Sequence, residues 1–580
     1  MKLSDYLVQR LLEAQITEFF GYQGTMIAHF VDSICKNPQV RNHTCYNEQG
    51  AAFAACGYTL STGRLSVAYA TSGPGALNLV SGVANAYYDS LPVVFITGQI
   101  NTYEYRPDIP QLRQAGFQET RTVDVMRPIC KYAVQITDAC EIGYEIEKAI
   151  YVATHGRKGP VVIDIPMNIQ RTDIDPASLK KYEVKEAEHH SYGVEAVESI
   201  RFALASSKRP VLLLGNGMDR VSADVFVRFA QKLNIPVVTS LLGKRWISDE
   251  HPLNFGYLGG AYGHRYANMI VDAKCDQIIA FGISLGTRQT GTKVSAFAPE
   301  AKVLRFDIDP VELKRKIKND EVSWLMDTKE LAALLEQYES QWTEWASVSG
   351  EWLDFCNDYR AFVREHDLAL DAFYPNQLIN AFNRHICKGD VVVSDVGQHM
   401  MWVGQSIAAK DDLPILFSGG HGAMGFALPA AIGASIARPN ATVFCFCGDG
   451  SFQMNIQELE WLKREKLNVV IVILNNSSLG LIVQQQEAYF EKNYYGSAQP
   501  DYTAPAFAEI SKAYGIESYR ADCIEQIDQI LWDYKKTGPL MIEYVFSQYT
   551  KAYPKTKLGE RIYDQEPSIS EKQLKAFLER

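Results

Sequence analysis

The chain has 580 residues, 47% hydrophobic and 22% charged, with a net charge of −11. That length is too great for one hydrophobic core and fits about three domains. The mild acidic balance offers no basic face for nucleic acid or an anionic membrane, and no run approaches the ~18 apolar residues that a membrane span needs.

In chain order, MKLSDYLVQRLLEAQ reads as an amphipathic helix whose charges are too frequent for a signal peptide. Residues 66–98 give strand, glycine-rich turn, helix and strand. Residues 171–195 are polar with no apolar period, as in a linker. The next block carries strands within 209–217, 275–282 and 302–309, each ending in Gly or Asp. The carboxyl edge of an open α/β sheet is where ligands bind. A helical stretch around 340–372 forms a second seam, and residues 442–476 then repeat the order and nearly the length of 66–98. This alternation predicts an α/β protein of three domains, each a doubly wound, largely parallel sheet. The boundaries read as 1–172, 190–340 and 365–580, with related topology in the first and third. The eleven cysteines form no CxxC pair and mostly sit in apolar runs. Buried thiols in a reducing cytoplasm are the expectation.

The stretch CFCGDGSFQMNIQEL (445–459) concentrates the chemistry. An apolar strand ends on Gly448-Asp449-Gly450 and turns directly into a helix pattern. The glycines let backbone N–H groups approach a ligand, and the helix offers its N-terminus to an anion. The next strand, NVVIVIL, ends in Asn475-Asn476, and adjacent strand ends of a βαβ unit lie side by side. Asp449 and Asn476 can then share a Mg²⁺ ion beside that anion. The plainer alternative is a turn carboxylate that only caps its helix. No HExxH or Walker loop is present, so hydrolase chemistry is disfavoured.

GDG, some two dozen residues and NN together resemble the cofactor motif of thiamine diphosphate (ThDP) enzymes. Within them the chain looks most like the catalytic subunit of acetolactate synthase. NEQGAAFAACGY, ATSGPGALNLVSGVANAYYDSLPVVFITGQ, GFQE, GPVVIDIP, SDVGQHMMW and GAMGFALPAAIGA carry the likeness in the family's order. The resemblance implies three domains of the ThDP-enzyme fold. The first would bind the aminopyrimidine, the central one FAD without a redox role, and the last the diphosphate and Mg²⁺. It assigns Glu48 to the aminopyrimidine, where it helps remove the thiazolium C2 proton, and Met424 to the floor under the bent cofactor. It places Phe117 and Gln118 in an active-site loop. Gly24, Gly75, Asn78, Val396, Gly397, Gln398, His399, Gly422, Gly448, Gly450, Ser451 and Gly480 would line the ThDP site. Asp449, Asn476 and the Ser478 carbonyl would hold Mg²⁺. Gly215, Gly217, Gly282, Arg288 and Asp307 match flavin positions. The implied reaction decarboxylates pyruvate and transfers the hydroxyethyl unit to a second 2-oxo acid, as in branched-chain amino-acid biosynthesis. The implied assembly is a homodimer or homotetramer with sites between subunits, with a small regulatory subunit as a further partner.

Several substrate-side positions depart from the family. Asn47 stands where His is usual, Met167 where Lys is, and Gln485 where Trp is. His421 replaces an apolar residue close to Met424. Gln485, His421 and Arg288 are therefore the candidates for an altered acceptor site. The alternative they raise keeps the pyruvate donor but uses a keto-sugar nucleotide or other ketone as acceptor, in branched-sugar biosynthesis. A catalytically dead regulatory relative is a further alternative, opposed by the intact Glu48, Asp449 and Asn476. The polar tail from Tyr553 either folds over the site or extends from the surface.

Overall fold

The computed structural model describes residues 1–109, 111–184, 193–345, 348 and 350–578. The polar stretch read as a linker lies partly outside these, as does residue 190, the expected start of the central domain. Three six-stranded sheets, parallel throughout, make the frame. The first comprises β1 (Glu18–Gly21), β2 (Arg41–Thr44), β3 (Ser66–Ala70), β4 (Val93–Gln99), β5 (Tyr132–Gln135) and β6 (Val161–Pro166). The central one comprises β7 (Pro210–Leu214), β8 (Val237–Thr239), β9 (Asn254–Tyr257), β10 (Gln277–Phe281), β11 (Lys302–Asp307) and β12 (Val322–Leu325). The third comprises β13 (Val391–Ser394), β14 (Ile415–Phe417), β15 (Val443–Gly448), β16 (Val469–Asn475), β17 (Glu517–Ala521) and β18 (Leu540–Val545).

The first sheet runs β2-β1-β3-β4-β6-β5 and the third β14-β13-β15-β16-β18-β17, one topology used twice. The central sheet runs β9-β8-β7-β10-β11-β12, the doubly wound order of dinucleotide-binding sheets. The central strands of the first and third sheets, β3, β4, β15 and β16, are buried along their whole length because helices cover both faces. All eleven cysteines are free, and seven are buried. Among the described residues no helix is long and apolar enough to cross a membrane.

One hydrophobic core runs through the first and third domains; Phe95 and Val162 share it with Cys445 and Ile471. Its centre is the crossing of two helices built of small residues, Glu48–Thr62 and Ala427–Ala437. A Cβ on Gly433 would fall 1.9 Å from the Ala54 carbonyl oxygen, and one on Gly57 2.1 Å from that of Ala430. Both neighbours are backbone, so the helices must part to admit a methyl group. Gly433→Ala is expected to cost at least the ~1–3 kcal/mol typical of overpacking, read as a lowered melting temperature.

A second junction ties β2 to the third domain. His43 lies between Glu18 (2.7 Å) and Glu465 (2.9 Å), stacked on Phe20. Burial opposes a charge on its ring, but the hydrogen bonds to Glu18 and Glu465 outweigh it and raise the His43 pKa. Arg41 also pairs with Glu18, while Trp461 donates to Glu465 and Arg464 lies beside it. Because the folded pKa is raised, the stabilisation is complete below the unfolded value of ~6.5 and fades as pH rises through the folded one. His43→Gln should therefore lower the melting temperature more at pH 6 than at pH 9.

The seam around 340–372 is not a loose connection. Its helix, Gly350–Leu368, buries Trp352, Cys356 and Tyr359 in the core of the central domain. The tail also returns to that domain. Its hairpin of β19 (Lys555–Thr556) and β20 (Gln565–Glu566) follows, Ile562 enters the same core, and Arg561 pairs with Asp272.

Candidate active site

Asp449 opens a short helix directly after β15, and Gly448 faces Leu474 of β16 in register, so the GDG and NN strand ends lie side by side. The Asp449 carboxylate accepts from the backbone N–H of Gly450 (2.9 Å) and of Ser478 (3.1 Å). No basic side chain pairs with it among the described residues, and burial pushes its pKa up to about 6. Asn476 donates its amide N–H to Gln398 (3.0 Å), which leaves its amide oxygen unpartnered among the described residues. A buried carboxylate held only by backbone donors, beside an unused amide oxygen, suits a hard cation. Among the described residues no three His, Cys, Asp or Glu cluster for a metal, so such an ion would rest on one carboxylate and neutral oxygens.

The surrounding residues are packed against one another. The Gly448 N–H points at Nε2 of His399 (3.2 Å) and at Oγ of Ser451 (3.2 Å). Burial lowers the His399 pKa to about 3, so its ring is neutral. A Cβ on Gly397 would strike that ring at 2.4 Å, and one on Gly480 would fall 2.0 Å from Oε1 of Gln398. Asp395, which sequence reasoning missed, accepts from Val396, Gly425 and Ala427 and so fixes the turn that presents Met424. The Met424 terminal methyl lies 3.6 Å from where a Gly450 Cβ would stand. Gly422, at φ 70°, has open space beside it.

Glu48 belongs to a separate cluster in the first domain. It is the first residue of its helix, and Asn47 caps that helix by accepting from Gln49 N–H (2.8 Å). The departure at Asn47 thus has a local structural role. The buried Glu48 carboxyl accepts from Nδ2 of Asn78 (2.9 Å) and lies 3.0 Å from where a Gly75 Cβ would be. Gly24 is pressed against Thr71 nearby. The loop with Phe117 and Gln118 crosses over Gly73, held by Gln99 Nε2 donating to the Thr120 carbonyl (2.7 Å). Phe117 is 76% exposed. Glu48 shares no hydrogen bond with Asp449, Met424 or Gln398 among the described residues.

The central domain opens a cavity of about 1840 Å³ whose walls include Gly217, Gly282, Arg288, Asp307 and, from the third domain, Gln485. Gly215 stands behind it, its Cβ position 1.9 Å from the Gly282 carbonyl oxygen, so close packing of β7 against β10 explains that glycine. Arg288 donates to the Gly419 carbonyl, and Asp89 accepts from Gly419 and Gly420. The first and central domains thereby clamp the third domain's loop before His421. His421 itself is exposed, stacks on Tyr88 at 5.7 Å and lies outside the cavity walls. Residues of the tail, among them Lys555 and Leu558, form part of those walls.

Three family models of thiamine pyrophosphate enzymes match this arrangement. The N-terminal TPP-binding domain covers residues 1–125, the central domain 197–335 and the C-terminal TPP-binding domain 395–544. The chain belongs to the thiamine pyrophosphate enzyme family. Its likeness to named members runs almost end to end. It is 34% identical to acetolactate synthase 1, chloroplastic, of Oryza sativa, over 97% of this chain and 87% of that protein. It is 34% identical to the acetolactate synthase isozyme 2 large subunit of Escherichia coli, over 96% and 97%. The acetolactate synthase large subunit of Lactococcus lactis is 33% identical, over 96% and 94%. Within this family's domains the chain carries its candidate cofactor residues on the β15–β16 edge and its candidate catalytic acid on the first domain.

One buried acid of this thiamine enzyme escaped the sequence reading. Glu458, nine residues beyond Asp449, is fully buried between Ile456 and Leu459, and burial pushes its pKa up to about 7. With Gln457 before it and a second carboxylate, Glu460, two residues after it, Glu458 carried no distinguishing signal in the sequence.

Proposed function

We propose that the protein is a ThDP- and Mg²⁺-dependent decarboxylating carboligase that takes pyruvate as donor and a second 2-oxo acid as acceptor. The observation that carries this reading is the pair of buried carboxyl groups, Glu48 at a helix start and Asp449 with backbone donors alone. When bound, ThDP supplies a thiazolium carbon that can lose its proton and then hold the electrons left by decarboxylation. Asp449, Asn476 and the Ser478 carbonyl would hold Mg²⁺ and, through it, the diphosphate. Gln398 and the neutral His399 are hydrogen-bonded beside these groups, to Asn476 and to the Gly448 N–H, and Met424 would support the rings. Glu48 would exchange a proton with the aminopyrimidine, as a positioned acid or base must.

Among the described residues Glu48 shares no hydrogen bond with Asp449, Met424 or Gln398, which is compatible with an active site completed by a second copy of this chain, and the solvent-exposed Phe117 fits the same reading. A homodimer is the smallest assembly that meets it. The "large subunit" in the relatives' names motivates a small regulatory partner. The central cavity is larger than the ~300–1,000 Å³ of common ligand sites, which suits a dinucleotide such as FAD. Its reach from Gly217 and Asp307 to Gln485 also favours a second reading, in which a keto-sugar nucleotide is the acceptor. Incubation with ThDP, Mg²⁺, FAD and pyruvate alone, with assay of acetolactate, tests the first reading. Acetolactate in stoichiometric amount supports it. Turnover only after a keto-sugar nucleotide is added transfers the assignment to the second.

A further inference from the structure

Glu48 can act only if its carboxyl is held in one place, and half of what holds it comes from another domain. Asn78 fixes the carboxyl itself. The backbone on either side is fixed by residues 455–458, which follow the Asp449 helix. Glu458 accepts from the N–H of Tyr46 (3.1 Å) and of Asn47 (3.0 Å), the two residues immediately before Glu48. Asn455 donates to the side chain of Gln49 (3.1 Å), the residue after it, and to the Gly425 carbonyl beside Met424. Gly50 makes the approach possible, since a Cβ there would stand 2.6 Å from Oε1 of Glu458.

Glu458 is not needed as an ordinary helix cap, because Asn47 already caps this helix. It also has no basic partner within ion-pair reach among the described residues; its further neighbours are Gln457, which donates weakly, and the more distant Arg464. A fully buried carboxylate without a counter-charge is costly. What it secures is two otherwise orphaned N–H groups at the one turn that aims Glu48.

We propose that Glu458 is a positioning residue for Glu48, fixing the 46–47 turn from the C-terminal domain so that the Glu48 carboxyl is presented in a single orientation. This deepens the proposed thiamine chemistry and rests on Glu48 acting there. Glu458→Gln keeps the shape but leaves one oxygen to serve both donors and turns an amide N–H toward the Tyr46 N–H, or toward both donors if the amide is reversed. Displacement of a reacting group by ~1 Å costs about 100-fold, so kcat is expected to fall about 10- to 100-fold while KM for pyruvate stays within about threefold. Amide hydrogen exchange over residues 45–50 of the free protein should quicken, while exchange over 443–454 stays as in wild type.

Gly50→Ala provides a second route, because it pushes Glu458 from its donors without removing the charge and adds a better helix former. A lowered kcat in Gly50→Ala at an undiminished melting temperature supports positioning. Folded Glu458→Gln with kcat within about twofold of wild type and unchanged exchange at 45–50 overturns it. If Glu458→Gln does not fold, Gly50→Ala decides alone: an unchanged kcat and exchange there overturn the proposal. Glu48→Gln is run beside both. If it keeps full turnover, the reading of Glu48 has failed; if it is inactive while Glu458→Gln and Gly50→Ala turn over normally, only the positioning role has.

Discussion

Glu48→Gln is expected to reduce turnover at least 100-fold while leaving the fold intact, within the ~10²–10⁴ that a positioned acid or base contributes. Gln keeps an oxygen for Nδ2 of Asn78, and the Tyr46, Asn47 and Gln49 contacts that anchor the turn involve other residues. Only the exchangeable proton is lost. The measurement is kcat with saturating ThDP and Mg²⁺, alongside a thermal melt with and without the cofactors. A cofactor-induced rise equal to wild type combined with lost turnover separates chemistry from binding. Retained turnover would remove Glu48 from the reaction.

Asp449→Asn should act in the opposite sense on the two states of the protein. Without cofactor, burial has raised the Asp449 pKa to about 6 against an ordinary 3.8. An acid whose folded pKa is raised destabilises the fold at pH above that value, and not at all below the unfolded value. Asn removes that penalty, roughly 3 kcal/mol at pH 7.5, which offsets the ~1–3 kcal/mol of turning its amide N–H toward the Gly450 or Ser478 donor, so the cofactor-free variant should melt at or above the wild-type temperature. At pH below ~4 the gain should vanish. With ThDP and Mg²⁺ the order should reverse. Wild type gains ~2.7 kcal/mol at a hundredfold excess over Kd, and the variant gains almost nothing. A cofactor-induced rise preserved in Asp449→Asn would place the cation elsewhere.

Much of this was legible in the amino-acid pattern because parallel sheets leave a strong signature. The apolar runs at 210–214, 277–281, 443–448 and 469–475 are strands for the reason they read as strands, burial on both faces. The adjacency of Asp449 with the residues after Asn475 followed from βαβ geometry alone. What did not follow were contacts between distant segments. The joining of His43 to Glu465, of Glu458 to the Tyr46–Asn47 turn, and of Asp89 to Gly419 and Gly420 depends on how the first and third sheets pack, and no local period encodes it. Gly433 and Gly57 drew no reading from the sequence, and only the helix crossing accounts for them. His421 invited a chemical role through its neighbourhood in sequence, yet its ring stacks on Tyr88. The tail could be read as a cover or an extension, and its course was set by Asp272 and a core it meets only after folding.

The central claim is that Glu48 promotes loss of the C2 proton from bound ThDP. The direct measurement is the rate of hydrogen–deuterium exchange at C2 of ThDP, bound with Mg²⁺ to wild type and to Glu48→Gln, by proton NMR after acid quench. Exchange at least about 100-fold faster on wild type than on the variant is the predicted result. Equal rates on the two proteins, or a wild-type rate no faster than that of free ThDP, would contradict the assignment.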